Sequence, residues 1–245
     1  MIDIIGAIGG AAVYSLIIGV LVGYSALPEA RKIAFIGVAG IWGGSIVAIA
    51  AFGGFAPATA GAIPLPVFAF AAFLIMLFGA WFWSRQFRDA LMAVPLPVLV
   101  ALNIPRVGGI LFLLLAAEGR LSDPFAASAG WGDIITGLVA IPMALIAWRD
   151  QRSTAPLTLW NAFGALDLVV AISLGLLSAP STPFRVFTEG PGTLAMTQLP
   201  WIMVAAMLVP LFLLVHLAIA VLRSSQPSVL QVSNYEMHQS TGRRA

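Results

Sequence analysis

The sequence predicts an all-α fold: a polytopic integral membrane protein with seven transmembrane helices, the amino terminus outside and the carboxyl terminus cytoplasmic. Three observations predict it. Hydrophobic residues make up 60% of the chain and charged residues 9%, against roughly 25% charged in ordinary soluble domains. The apolar residues gather into seven runs, each close to the roughly 20 residues that cross about 30 Å of hydrocarbon. The basic residues then sort onto alternate connections between those runs. No hydrophilic stretch is long enough for a second, soluble domain, so the reading is one bundle over residues 1–223 and a polar, unpatterned, disordered cytoplasmic tail over 224–245.

In chain order the spans are Ile4–Ala26, Ile33–Ala56, Ile63–Trp83, Pro97–Ala117, Gly130–Trp148, Leu157–Leu177 and Leu199–Leu222. The first has Asp3 in place of a basic start and exceeds a secretory apolar core, so it is expected to stay in the mature protein. In the first two spans Gly6 and Gly10, Gly19 and Gly23, and Gly40 and Gly44 are small residues four apart, which allow close helix approach either within the bundle or in an oligomer. The fourth is irregular: apolar character runs from Ala90 to Ala117, and Pro105 removes a backbone donor inside it, which predicts a kink or break. A break at mid-membrane is tolerated only where protein or a wet cavity satisfies the backbone.

Orientation follows from the bias of basic residues. Arg31, Lys32, Arg85, Arg88, Arg149, Arg152, Arg223, Arg243 and Arg244 fall on one side of a seven-span arrangement, and Arg120 and Arg185 on the other. The larger set faces the cytoplasm by the positive-inside rule, in a bacterial-type inner membrane. Trp81, Trp83, Trp131, Trp148, Trp160 and Trp201 lie near predicted span ends, as an aromatic belt requires; Trp42 does not.

Few polar residues enter the apolar runs. At 1.5 Å of rise per residue, Arg106 lies roughly 16 Å from the outer end of its span and Asp167 roughly 15 Å from the inner end of its own. Asp133 falls about one turn inside its span from the outer side, and Asn103, Asn161 and His216 fall in the inner half. Asn161, Gly164, Asp167, Ala171 and Gly175 form one polar or small stripe, and Asp133, Thr136, Gly137, Ala140 and Ala144 another; the two are expected to face each other. Trp160 beside Asn161 reads as an interfacial anchor, with lining a pocket as the alternative. A charge at the bilayer centre costs about 2.5 to 3.5 kcal/mol on insertion scales, so such residues pair and mark function. Arg106 with Asp167 is the natural pair, as a site that binds or moves something polar or as a structural clip.

Missing residues exclude several chemistries. The only lysine, Lys32, is at a loop, which excludes a retinal Schiff base; His216 is the only histidine within a span, which excludes bis-histidine haem and multi-histidine zinc. There is no cysteine, no phosphate-cradling glycine loop ending in lysine and no G-x-S-x-G elbow. No cofactor, metal or nucleic-acid partner is implied; the expected partners are the lipid bilayer and a small polar or anionic solute or a proton. "GWGD", Gly130 to Asp133, resembles the G-x-G-D signature of intramembrane aspartyl proteases, in which two aspartates on adjacent helices share a proton and activate water. That resemblance implies Asp167 as second acid, although here it follows the motif and in that family the partner precedes it.

The sequence therefore favours a small-solute binding or transporting protein, in its proton-coupled form with Arg106 holding a substrate anion or releasing Asp167 to titrate. Asp133 would then be the outer gate acid and His216 with Asn161 the inner relay. The alternatives are a membrane-embedded enzyme using Asp133 and Asp167, and a structural or accessory subunit. The outer connection at residues 178–198 reads as a lid or as a flap on the headgroups.

Overall fold

The computed structural model describes residues 1–57, 63–149 and 154–224. The tail expected to be disordered lies, from residue 225 on, outside the described residues. Those described form helices and their connections, with no strand among them. Seven segments are long and apolar enough to cross a membrane, so the protein is an all-α, multi-pass membrane protein. They are α1 (Ile2–Tyr24), α2 (Glu29–Ala51), α3 (Leu65–Trp83), a composite span Leu96–Ala117, α7 (Phe125–Arg149), Ala155–Leu177 within α8 (Thr154–Leu177), and Val204–Ser224. A short helix, α4 (Arg85–Met92), joins the third span to the fourth and is capped where the Ser84 hydroxyl accepts from Phe87 N at 3.2 Å.

The fourth span breaks where the sequence lacks a donor. It consists of α5 (Leu96–Ala101), a 3₁₀ segment (Ile104–Gly109) around Pro105, and α6 (Ile110–Ala117). Asn103 N turns to Val100 O at 3.1 Å, which frees Leu99 O, and the Asn103 amide Nδ2 donates to that carbonyl at 3.2 Å. Such a backbone at mid-membrane must be covered by protein, and α7 covers it. A Cβ on Gly137 would sit 2.6 Å from Val107 N and 2.9 Å from Ile104 O, so glycine alone permits this approach.

The seventh span carries a second irregularity, a π turn at Val204–Leu208 ahead of α9 (Val209–Ser224). Pro210 has no N–H to offer Ala206 O, four residues earlier. The Trp42 indole donates to that carbonyl at 3.1 Å while its ring stacks on Phe73 at 5.2 Å. The one tryptophan away from the span ends is thus a surrogate backbone donor. Trp42→Phe should keep the stack, orphan the carbonyl and lower stability by about 1 to 3 kcal/mol, read as a drop in the thermal unfolding midpoint; an unchanged midpoint would mean that Ala206 O finds another donor.

The belt reading divides. Trp83, Trp131 and Trp148 are exposed, whereas Trp81, Trp160 and Trp201 are buried. The glycine pairs divide too. Gly6 packs on Trp201 and Pro200 and Gly10 on Met203, within the chain, while Gly19, Gly23, Gly40 and Gly44 meet nothing within 4 Å.

The connection at residues 178–198 is anchored rather than loose. Arg185 donates to the carbonyls of Phe187, Thr188 and Gly190 at 3.0 to 3.1 Å, and Gly192 and Ser122 exchange two hydrogen bonds. Ala195, Met196 and Trp201 are buried against Phe112, Leu115 and Phe125, forming an apolar core that closes this end of the bundle. Asp3 ties α1 to this roof, accepting from Arg120 at 2.9 Å and from the Trp201 indole at 2.7 Å.

Candidate functional site

Arg106 sits on the 3₁₀ segment, so its side chain leaves the broken span toward α7 and α8, and it is buried. Its guanidinium holds one oxygen of each acid: Nε donates to Asp133 Oδ1 at 2.7 Å and Nη2 to Asp167 Oδ2 at 2.6 Å. Nη1 donates to Gly164 O at 3.1 Å and lies 3.0 Å from His216 Nε2. The Phe212 ring lies 5.7 Å from the guanidinium carbon, within cation–π range. Fixed partners therefore occupy most of the donor fork.

The remaining protons can be placed by elimination. Arginine only donates, so His216 Nε2 accepts and its Nδ1–H donates to Asn161 Oδ1 at 2.8 Å. The Asn161 amide in turn donates to His216 O at 3.1 Å, which is consistent with that orientation. Trp160 forms a wall: its indole donates to Thr136 O at 3.0 Å and its ring lies 5.8 Å from the His216 ring. Trp160 is buried and is not among the residues that line the cavity.

The acids reach one arginine because α7 begins earlier than its apolar run. Asp123 Oδ1 accepts from Ala127 N at 3.0 Å at the start of the helix, which opens at Phe125 rather than Gly130. Asp133 thus lies eight residues inside α7, about 12 Å down, where one turn was expected from the sequence. The structure places it with Asp167 on the Arg106 guanidinium.

Two glycines make the space. A Cβ on Gly132 would overlap the Asp167 carboxylate, and one on Gly164 would lie 2.6 Å from the His216 ring. The small and polar stripes of α7 and α8 do face each other, and Thr136 meets both Trp160 and the Gly164 position. Asn103 stands apart: fully buried, its amide closes the end of α5 and makes no bond to the cluster. Phe212 and Gly132 were missed in the sequence, Phe212 because an aromatic in an apolar run carries no polar signal. Gly132 had one available signal, its place inside "GWGD".

A cavity of about 610 Å³ lies beneath the cluster, bounded by α3, α8 and α9. Its deep end is Asn161 and His216, its other end Thr158, Arg223 and Ser224, and its walls between are alkyl and aromatic. His216 is therefore the link between Arg106 and the cavity.

Chemically, two carboxylates facing one guanidinium leave a cluster that is one negative charge in excess when both are ionised. A proton or a cation would balance it. An arginine holding both acids also differs from a bare pair of acids sharing a proton.

No curated protein and no solved structure matches the chain. The family model described as Domain of unknown function (DUF8737) matches residues 62–223, a stretch that holds Arg106, Asp133, Asn161, Asp167 and His216, and the chain belongs to that family.

Proposed function

We propose that this protein binds a small solute and carries it across a bacterial-type inner membrane in exchange for, or together with, protons. The observation that carries the reading is the charge imbalance of Arg106, Asp133 and Asp167 at mid-span, linked through His216 and Asn161 to a cavity that reaches the inner end of the bundle. A structural clip between helices needs one acid for one arginine; a second acid supplies a group that can take up and release a proton. With most of the donor fork occupied, Arg106 modulates the acids in this reading, and His216 and Asn161 relay between them and the cavity. The outer apolar roof and the inner cavity give the arrangement one open side.

The test is uptake into proteoliposomes of a panel of radiolabelled small organic acids and amines under an imposed pH gradient. At least one solute should accumulate with the parent only while the gradient lasts, and Asp167→Asn should abolish the gradient dependence while remaining folded. Uptake indifferent to the gradient would remove proton coupling. Failure to move any solute would favour the accessory-subunit reading.

The orientation belongs to the same proposal. Arg31, Lys32, Arg85, Arg88, Arg149 and Arg223 lie at one end of the described bundle, opposite Arg120 and Arg185. A reporter fused after Arg223 should read cytoplasmic and one inserted at Thr188 external; both on one face would break the seven-span topology.

A further inference from the structure

The cavity itself says more than "small solute". Its deep polar groups are largely committed, because Asn161 and His216 bond each other and His216 also bonds Arg106. Its walls are apolar, formed by Phe78, Leu213 and Leu217 with Ala162, Ala165 and Ala220. A small hydrated ion gains nothing from such walls. At the inner end the Arg223 guanidinium donates through Nε to Thr158 Oγ1 at 3.2 Å and has no carboxylate partner among the described residues. An anion is attracted there, and disfavoured at the deep end, where two acids outnumber Arg106.

Ala162 and Ala220 line the cavity and are exposed, so it opens to the bundle's surroundings, which in the proposed orientation is the inner leaflet. An amphipathic acid in that leaflet already lies with its head at the interface, the level of Arg223, and its chain toward the midplane, the direction of His216. From Arg223 to His216 the cavity follows α9 for seven residues, about 10 Å, which suits one medium-length chain. Its volume, about 610 Å³, is in the usual range for small-molecule sites and too small for a two-chain phospholipid.

We infer that the cavity between α3, α8 and α9 binds a single-chain amphipathic organic acid, its anionic head on Arg223 and its chain running inward along Leu217 and Leu213 toward Asn161. The inference deepens the transport reading by naming the solute class; it rests on that reading for any movement of the acid, though not for its binding.

The experiment is equilibrium binding of radiolabelled decanoate to the protein in zwitterionic nanodiscs at constant pH, with empty nanodiscs subtracted for partitioning. Saturable binding should be displaced by decyl phosphate but not by acetate. Affinity should rise by up to about fourfold per added methylene until the cavity is filled. Decanol and decyltrimethylammonium should compete at least about tenfold more weakly, because the alcohol offers the guanidinium an uncharged acceptor and the quaternary ammonium offers none. Arg223→Gln should remove the preference for acid over alcohol. Ala220→Phe and, separately, Ala165→Phe should weaken decanoate binding by about tenfold or more through lost space, and Arg149→Gln, at the same end of the bundle but outside the cavity, should leave it unchanged.

Absence of saturable binding would overturn the inference, as would equal competition by decanol or normal binding in both folded filling variants. Loss of binding in nanodiscs containing anionic two-chain phospholipid would place a membrane lipid in the cavity and overturn the choice of a free acid. These readouts use no pH gradient. Decanoate binding without gradient-driven uptake of any solute defeats the transport reading alone, and gradient-driven uptake of another solute without decanoate binding defeats this inference alone.

Discussion

Arg106→Gln is expected to be the most damaging single substitution in the bundle, lowering stability on the order of 3 to 5 kcal/mol, the cost of leaving buried charge uncompensated. Glutamine cannot balance Asp133 and Asp167, and it reaches at most some of the four partners that the guanidinium now satisfies. Thermal unfolding of the solubilised protein would measure the loss. Because both acids share one cation, the cycle through Asp167→Asn is diagnostic: Arg106→Gln with Asp167→Asn should cost clearly less than the two single losses added. Adding Asp133→Asn should recover more, since that variant holds no buried charge in the cluster. Additive losses would show that the ion pairs contribute nothing. A neutral variant that regains stability but not uptake would assign the cluster to function; one that regains both would assign it to structure.

The second large effect is expected from a single added methyl group. Gly132→Ala improves helix propensity by up to about 1 kcal/mol, yet the new Cβ would occupy the space of the Asp167 carboxylate. The acid must then leave Nη2 of Arg106, and a net loss on the order of 3 kcal/mol follows from the broken buried pair. The same methyl in an Asp167→Ala background meets no carboxylate, so the loss attributable to Gly132→Ala should largely vanish there. A loss of equal size in both backgrounds would mean that the methyl disturbs α7 packing rather than the ion pair. Gly137→Ala is the contrast, since its Cβ would strike backbone atoms of the 3₁₀ segment and no side-chain deletion relieves that.

Particular residues show where linear reading succeeds. Arg106 and Asp167 were placed at similar depth by counting residues, and they form an ion pair at 2.6 Å. The break around Pro105 was legible because a missing N–H is a property of the residue type. Asp133 was misplaced because the apolar run and the helix do not start together: the first turn of α7 contains Ser128 and follows Asp123, and so scores as a connection. Trp160, Trp201 and Trp81 show another limit. An indole near a span end can turn outward to the interface or inward into the packed bundle, and position along the chain is the same in both cases.

What the sequence by itself determined is the all-α, seven-span character and the short inventory of polar groups that must be buried. Both depend on quantities that add along the chain: the transfer cost of each residue into hydrocarbon and the rise per residue of a helix. The tertiary structure decided that Asp133 and Asp167 share one arginine, that His216 and Asn161 join it to a cavity, and that Trp42 serves Ala206. Those outcomes depend on helix rotation and close approach, set at Gly132, Gly137 and Gly164 by contacts between residues far apart in the chain. No sum along one helix contains them, because the energy that selects each partner exists only once two helices meet.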